Sequence, residues 1–553
     1  MHPLSRRVTR RLSYVALAAW VITMGVLVQR SYLQASAANL ATDLARYGTQ
    51  AQWRGVYYRG EKIGFTVSQV MPTDDGFELQ EDGRLQMSLL GATTPAVVKT
   101  TARVDASFAL RSFEFSLDPG TGPLTMAGRL DGLRLTLDIR SAAGTRTEVR
   151  TLTEPPALMM SLGRRLAGAG LAEGGTHRYL IFDPATLANS PLTVTVGRRE
   201  VVMTGGRPTP AFRAELAFAG ITTTSWITDT GEVIREESPL GLLSVREPQA
   251  QAVQLAVSSR VQADLLAAAA VVPTMRARID EPRDVVRLRL QVSGVDTAAL
   301  ALDGVGQSWA PDVLELVDAR RLRAGPADVD RAVYLRPEPL IESDDPAIVA
   351  EAERMVAGAT TARERAERLV RGVNGLLDKT PTISIPSARE VLRTKVGDCN
   401  EHTALYVALA RAVGLPTRIN VGLAWVLGAF YYHAWPEVYL DEGGGRGLWL
   451  PVDPTFNQFP ADATHVRLLR GGLDQQAAIL PLIGRVKLTV LDVELSPDAV
   501  VRTAMPARSP AAAVAPVEAT MPAALPLAAP APAAAAGGGC WLGRWFAHCR
   551  GAR

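Results

Sequence analysis

Seven consecutive residues, Val396-Gly397-Asp398-Cys399-Asn400-Glu401-His402, indicate the architecture of the chain around them. Gly397 permits a sharp turn, and apolar side chains recur at helical spacing from Cys399 to Val413. The following Gly414-Leu415-Pro416 is typical of a helix end. The pattern therefore places Cys399 at a helix N-terminus, which stabilises anions and favours the thiolate.

A second patterned region follows and predicts a β-hairpin. Residues 430–440 are rich in aromatic side chains and favour a strand, residues 441–445 form a Gly-rich turn, and residues 447–453 favour another strand. Counting outward from the turn brings Asp453 to roughly the level of His433, where its carboxylate could fix the imidazole tautomer. A thiol, an imidazole and a carboxylate thus follow in order, as thiolate acyl-transfer chemistry needs.

Four motifs resemble the transglutaminase-like superfamily, the papain-type cysteine enzymes and their bacterial relatives. They are Gly397-Asp398-Cys399, Ala410-Arg411-Ala412-Val413-Gly414-Leu415-Pro416-Thr417-Arg418, His433-Ala434-Trp435-Pro436-Glu437-Val438 and Val452-Asp453-Pro454-Thr455. The resemblance covers residues 345–470 and implies an α+β core in which a helix packs on an antiparallel sheet. It also implies a catalytic triad of Cys399, His433 and Asp453. Animal-type transglutaminases have tryptophan directly after the nucleophile, whereas Asn400 follows it here, which favours the bacterial branch and argues against protein cross-linking.

In this interpretation Cys399 attacks an amide or ester carbonyl, His433 takes and returns the proton, and Asp453 orients His433. We expect a cysteine peptidase or amidase in preference to a cross-linking transferase, acting without a cofactor on a protein or peptide of the cell envelope. The alternative is a catalytically inactive transglutaminase-like binding module of the envelope.

Other roles for the same residues are open. Cys399 could be a buried structural cysteine, and His402, three residues further on, is a rival base for which we favour a structural role. A zinc site formed by Cys399, His402, His433 and Asp453 is disfavoured because no Cys-x-x-Cys or His-x-x-x-His pair occurs there. We expect Asp398 to cap the helix.

Aromatic residues flank His433, namely Tyr431, Tyr432 and Trp435. We expect them to pack in the sheet, with a substrate-groove wall as the alternative.

The N-terminus predicts a membrane anchor. Four arginines in residues 1–11 precede the apolar run 12–28, which would span roughly 25 Å as a helix. The positive-inside rule predicts that residues 1–11 lie in the cytoplasm and that residues 12–28 form a single inner-membrane span. The remaining chain would then lie in the periplasm or otherwise outside the cytoplasm. We favour an uncleaved signal anchor over cleavage at Ala35-Ser36-Ala37 or a buried core helix; this topology assumes a bacterial cell.

Period-two patterns predict a large, mostly antiparallel β domain over residues 52–250. Leu133, Leu135, Leu137 and Ile139 alternate with polar residues after an Asp-Gly turn signal. Residues 192–196, before Gly197-Arg198, favour another strand.

Residues 251–340 predict a connecting helix at 256–270 and a small β unit, with a strand around 286–292. Helical spacing in 346–377 introduces the catalytic domain at 345–470, and 471–500 contains a last strand.

The C-terminal residues have a different composition. Residues 504–539 are rich in alanine and proline and predict a disordered linker. In the tail, 540–553, Cys540 and Cys549 could form a disulfide and leave Cys399 as the odd thiol.

The composition excludes some classes of function. The 553 residues suggest three or four domains, and the net charge of +3 is near neutral. The absence of a basic stripe and of a Gly-rich phosphate loop argues against nucleic acid and nucleotide binding.

Overall fold

The computed structural model describes residues 46–499, except 90–91, 119–122, 142, 186, 219, 255–269, 381–386, 472–476 and 498. The chain divides into two compact units, Met1–Val500 and Val501–Arg553, and the second lies outside the described residues. So do the predicted anchor at 12–28, all but the last residue of the predicted helix at 256–270, and the C-terminal linker and tail. Within the described part, no helix is both long and apolar enough to cross a membrane.

Fourteen strands form one large antiparallel sheet, which confirms the predicted β domain. In chain order, β1 to β14 are Gln52–Tyr58, Glu61–Thr73, Gly76–Leu89, Ala92–Asp105, Leu110–Asp118, Leu124–Asp131, Arg134–Ser141, Gly144–Thr151, Thr176–Asp183, Ala188–Thr204, Arg207–Phe218, Ile221–Ile227, Val233–Glu237 and Leu242–Arg246. Strands β1 to β8 run as a meander to one edge, and β9 to β14 run back from the other edge until β14 pairs with β1. The first and last strands of the domain therefore meet in the middle of the sheet.

The predicted alternation is confirmed for Leu135, Leu137 and Ile139, which are buried on β7. It is wrong for Leu133, which lies in the turn before the strand and is 42% exposed. The strand predicted at 192–196 is longer than expected, because β10 continues through Gly197 with a register shift between Val196 and Arg199.

Six α-helices lie in the described part of the chain. They are α1 Leu162–Ala169, α2 Gln249–Ala252, α3 Pro346–Val356, α4 Ala362–Leu376, α5 Ala388–Thr394 and α6 Cys399–Ala412.

Two five-stranded sheets and a two-stranded sheet make up the rest of the described fold. The first has the order β15-β26-β16-β18-β17, from β15 Thr274–Met275, β16 Val285–Ser293, β17 Gln307–Ala310, β18 Val313–Val317 and β26 Lys487–Leu495. The second has the order β19-β24-β23-β22-β25, from β19 Gly325–Pro326, β22 Thr417–Val426, β23 Ala429–Gly443, β24 Arg446–Pro451 and β25 Val466–Arg470. The short strands β20 Asp378–Lys379 and β21 Val396–Gly397 pair in parallel.

Helix α6 forms the centre of the core that follows the β domain. It packs on β22 and β23 and is surrounded by α3, α4 and α5. Every residue from Glu401 to Arg411 is buried, as expected for a helix covered on all sides. Leu405 of α6 belongs to the same apolar core as Leu288 of β16, so the small sheet and the helix-on-sheet core pack as one body.

The β domain contacts this core through its β7–β8 turn. The Ala143 N–H lies 3.3 Å from Glu390 Oε2, and the Arg389 guanidinium donates to the Ala143 carbonyl. Leu340 is buried in the core of the β domain together with Leu137. The β domain therefore packs against α5, the helix that precedes Cys399 in the chain.

Candidate active site

The N-terminus of α6 is held by a reciprocal cap, which confirms the expected role of Asp398. The Asn400 N–H donates to Asp398 Oδ1 at 3.0 Å, and the Asp398 N–H donates to Glu401 Oε2 at 2.9 Å. The predicted turn at Gly397 is instead a pairing of Gly397 with Lys379. The glycine is needed there because a Cβ would lie 2.2 Å from the Glu401 Cβ.

Cys399 opens α6 next to the residue that follows His433. The side chain is half-buried, and the backbone N–H of Ala434 donates to the thiol. In the next turn of the helix, Thr403 Oγ1 donates to the Ala434 carbonyl at 3.0 Å. The first turn of α6 is therefore hydrogen-bonded to β23 through both backbone polar groups of Ala434, its N–H and its carbonyl.

The predicted bias toward a thiolate is wrong for this resting structure. Burial raises the pKa of the Cys399 thiol well above its ordinary value, and the Asp398 carboxylate raises it further. The Ala434 N–H opposes this shift, whereas Glu401 and Asp453 add to it. Three carboxylates near the thiol, together with burial, therefore outweigh the helix dipole on which the prediction rested.

His433 and Asp453 form the contact that the hairpin pattern predicted. His433 Nε2 lies 2.7 Å from Asp453 Oδ2, and both side chains are buried. The pairing of Glu437 with Pro451, continued two residues beyond the strand, puts Asp453 opposite Trp435, on the same face as His433. Since Nε2 bonds the carboxylate, Nδ1 is the nitrogen left for proton exchange.

The His433 ring lies between two aromatic rings. Phe456 stacks on it with centroids 4.7 Å apart, and Trp435 stacks at 6.0 Å. Trp435 is only 2% exposed, which fits the expected packing role better than a groove wall. These neighbours restrict rotation of the imidazole.

Asp453 is fixed from several directions. Its Oδ1 accepts the N–H groups of Thr455, at 2.7 Å, and Phe456, at 2.9 Å. From α4, Asn374 Nδ2 donates to the carbonyls of Pro454 and Thr455 and holds the same loop. Although burial alone would raise it, the pKa of Asp453 is held far below its usual range by His433 and His465, so the carboxylate is ionised.

His465, which the sequence argument missed, donates to the same carboxylate. Its Nε2 lies 3.0 Å from Asp453 Oδ2, and its Nδ1 lies 3.2 Å from Asp462 Oδ1. The available signal was the Asp-Ala-Thr-His spacing of residues 462–465 in a chain with only six histidines. That signal is weak because the segment lies in a loop without hydrophobic periodicity.

His402, the rival base, makes a local contact instead. Its Nδ1 lies 2.7 Å from the carbonyl oxygen of Asp398, and its Nε2 has no hydrogen-bond partner among the described residues. Burial lowers the pKa of His402. Neither His402 nor Cys399 belongs to the one cluster of potential metal ligands in the described part, which is His433, Asp453 and His465.

Glu437 of the third motif lies away from this contact. It is buried in an ion cluster, with its carboxylate 2.6 Å from Arg418, 3.6 Å from Arg470 and 3.8 Å from Arg467. This cluster fastens β22, β23 and β25 to one another beneath the site.

Comparison with known families identifies the region that carries these residues. Residues 350–454 match the family model described as the transglutaminase-like superfamily, so this part of the chain is a transglutaminase-like domain, as the motifs predicted. The match ends just after Asp453 and does not include His465. No curated protein matches the chain.

Three similar solved structures each cover about a third of this chain. A β-barrel-like protein of a domain of unknown function from Brucella abortus is 13% identical, covering 35% of this chain and 95% of that one, with a TM-score of 0.29. A candidate cysteine protease from Cytophaga hutchinsonii is 17% identical, and the match covers 38% of this chain and 90% of that one with a TM-score of 0.25. The periplasmic domain of TgpA from Pseudomonas aeruginosa is 14% identical, and the match covers 33% of this chain and 87% of that one with a TM-score of 0.23. Similarities at this level carry no argument about function.

Proposed function

We propose that this chain is a cysteine peptidase or amidase with Cys399 as nucleophile, His433 as base and Asp453 as the group that orients the base. The observation that carries the proposal is the buried 2.7 Å contact of His433 Nε2 with Asp453 Oδ2, next to a thiol at a helix N-terminus. The transglutaminase-like match over residues 350–454 supports the same chemistry.

The proposed reaction begins with a neutral thiol. His433 Nδ1 takes the proton of the Cys399 thiol as sulfur attacks the amide carbon, and the C–N bond breaks as the imidazolium returns that proton to the leaving amine. Asp453 stabilises the imidazolium and fixes the tautomer. The backbone N–H of Cys399, at the first position of α6, is a candidate donor to the oxyanion.

The thioester is then hydrolysed. Water gives a proton to His433 and attacks the acyl carbon, the C–S bond breaks, and the imidazolium protonates the departing thiolate. We favour water over an amine as the acceptor because hydrolysis needs no second binding site.

The setting of the enzyme is part of the proposal. The basic residues 1–11 and the apolar run 12–28 support a single inner-membrane anchor with the domains outside the cytoplasm, and a protein or peptide of the envelope as substrate. A reporter-enzyme fusion after residue 499 tests this topology: activity confined to a cytoplasmic reporter would contradict it.

One observation favours the non-catalytic alternative. Burial and three carboxylates raise the pKa of the Cys399 thiol, and a binding module with a vestigial triad would have no need of a reactive thiol.

The rate of Cys399 alkylation by iodoacetamide distinguishes the cysteine enzyme from the non-catalytic binding module. It is measured on the full chain between pH 5 and pH 10 and followed on the Cys399 peptide by mass spectrometry. We expect His433→Ala to slow alkylation near pH 7 by roughly tenfold or more, since it removes the proton acceptor. His177→Ala, in the β domain, is the matched control.

Equal rates for wild type and His433→Ala across this range would contradict the proposed pair. Amide hydrolysis, screened with a mixture of peptides, must also disappear in Cys399→Ala. Full turnover by that variant would assign the activity to other residues.

A further inference from the structure

His465 lies where it can act on the proposed catalytic pair without touching a substrate. It ends the loop between β24 and β25, and its side chain is 4% exposed. Its Nε2 and the Nε2 of His433 approach the same oxygen of Asp453, at 3.0 and 2.7 Å. Any change in the charge or position of His465 therefore acts on the carboxylate that orients His433.

Both ring nitrogens of His465 face carboxylates. Besides Asp453 on the Nε2 side, Asp462 presents Oδ1 and its own carbonyl oxygen to Nδ1, each at 3.2 Å. A neutral imidazole has only one N–H, so donation at both ends requires the imidazolium. Burial alone would lower the pKa of His465, but its bonds to Asp453 and Asp462 raise it to about 10.

The second carboxylate is itself held in place. Asp462 Oδ1 accepts from the backbone N–H of Thr464 at 3.0 Å and from its hydroxyl at 2.6 Å, and Oδ2 accepts from Gln458 Nε2 at 2.8 Å. Asp462 is buried, and its pKa lies well below the usual range because His465 and Thr464 outweigh burial. An ionised, immobile Asp462 keeps the charge of His465 fixed.

Few other charged groups face this ring. Arg283, from the segment before β16, interacts with Asp462 and donates to the Pro460 carbonyl at 2.7 Å. Arg467 and Glu437 line the same small cavity as His465. Three rings also surround it: the centroid of Trp435 lies 5.2 Å away, that of the titratable His433 lies 5.8 Å away and that of Phe456 lies 6.2 Å away.

His433, Asp453 and His465 present three potential metal-ligand atoms within 4.8 Å of one another. Asp453, however, already accepts four hydrogen bonds, two on each oxygen, and is fully buried. The contact distances are those of N–H···O bonds. The geometry is thus complete as a hydrogen-bond network.

We propose that His465 is a positioning residue: an imidazolium, charged at neutral pH and held between Asp453 and Asp462, that fixes the Asp453 carboxylate and offsets part of its charge toward His433. This inference rests on the proposed function of Cys399 and His433. Offsetting the charge weakens the pull of Asp453 on the imidazolium of His433, which keeps His433 able to return its proton to a leaving group. Removing only the charge of His465 should therefore change the alkylation rate of Cys399 in the opposite direction from removing its hydrogen-bond donor as well.

Two substitutions separate charge from position. His465→Gln keeps an N–H donor toward Asp453 but loses the charge, so the thiolate–imidazolium pair gains stability. We expect Cys399 alkylation near pH 7 to become roughly threefold faster or more, given the size of charge effects at this distance. His465→Leu removes the donor as well, and we expect slower alkylation because Asp453 is no longer fixed.

Asp462→Asn is an independent variant that need not disturb the ring. It removes one of the two negative charges that hold the proton on His465, so His465 loses its proton at a lower pH than in wild type. We expect the alkylation rate of this variant to approach that of His465→Gln at the alkaline end of the pH profile, where His465 is neutral. His177→Gln is the control substitution, and circular dichroism with thermal melting establishes that each protein is folded.

A purely structural histidine would behave differently. Both His465 variants would then melt earlier while the folded proteins kept the wild-type rate and pH profile of alkylation, and that result overturns the proposal. If His433→Ala still slows alkylation in the same experiment, the proposed function stands although His465 is not a positioning residue. If His433→Ala has no effect, the proposed function itself fails.

Discussion

The Thr403 hydroxyl donates to the Ala434 carbonyl across 3.0 Å and ties the central helix to the strand that carries His433. Cys399 lies one helical turn before Thr403, and its thiol accepts from the N–H of the same Ala434. The spacing between Cys399 and His433 is therefore set by hydrogen bonds between a helix and a strand rather than by a flexible loop.

Removing this joint should lower both stability and reactivity. Thr403 is 1% exposed, so Thr403→Val leaves a buried carbonyl without its side-chain donor and should cost about 1–3 kcal/mol in the free energy of unfolding. Urea unfolding and the Cys399 alkylation rate measure the two effects. Thr403→Ser restores the donor and should recover most of both; if Ser and Val behave alike, the hydrogen bond is not what matters.

The carboxylate of Glu401 should suppress thiolate formation. It is one of the groups that raise the pKa of Cys399, and Glu401→Gln removes its charge while keeping an acceptor for the Asp398 N–H. The pKa of the thiol should fall, and alkylation between pH 7 and pH 8 should be faster than in wild type. Arg393→Gln, on the preceding helix, is a control that changes charge without contacting the cap, and an unchanged rate in Glu401→Gln would rule out this electrostatic effect.

The buried network predicts a stability maximum on the acid side of neutrality. Asp453 and Asp462 have a lowered pKa, so their stabilisation is complete above their ordinary value of 3.8 and is lost as the pH falls below it. His465 has a raised pKa, so its stabilisation is complete below the ordinary value of 6.5 and is lost as the pH rises toward about 10. The melting temperature should therefore be highest between about pH 4 and 6.5. His465→Gln should flatten the alkaline decline, and an identical decline in that variant would exclude His465 as its source.

The close approach of Glu401 leaves no room for a side chain at position 397. Gly397→Ala would put a Cβ 2.2 Å from the Glu401 Cβ, which should displace the cap and lower stability by about 1–3 kcal/mol, in the range of overpacking. The matched change is Gly375→Ala in α4, where nothing lies within 4 Å of the added Cβ. That change should be neutral or stabilising by up to about 1 kcal/mol. Thermal melting measures the stability of both variants, and an equal change in melting temperature would contradict the steric explanation.

The sequence predicted most reliably what depends on local spacing. The capped helix at Cys399 and the hairpin that brings His433 near Asp453 follow from period and turn chemistry within short segments. Leu133 shows the limit of the same method, because an alternating pattern does not say where the turn ends and the strand begins.

What the sequence could not give depends on distant residues. The pKa of Cys399 is raised by burial and by carboxylates from two segments, and His465 contacts Asp453 only because the loop before β25 folds back toward it. The pairing of β26 with β16 is equally long-range, and no local pattern links the two strands.

That pairing has a consequence for the order of synthesis. Strand β16 lies between β26 and β18, so its sheet stays incomplete until residues 487–495 leave the ribosome. These residues are made about 200 positions after β16, which takes roughly 10 to 40 s at elongation rates of about 5–20 residues per second. Cys399, His433 and Asp453 are all translated during that interval, while the apolar core shared by α6 and β16 still lacks Leu488 and Val490 of β26. The nascent chain therefore completes this interior only after residue 495 has been made.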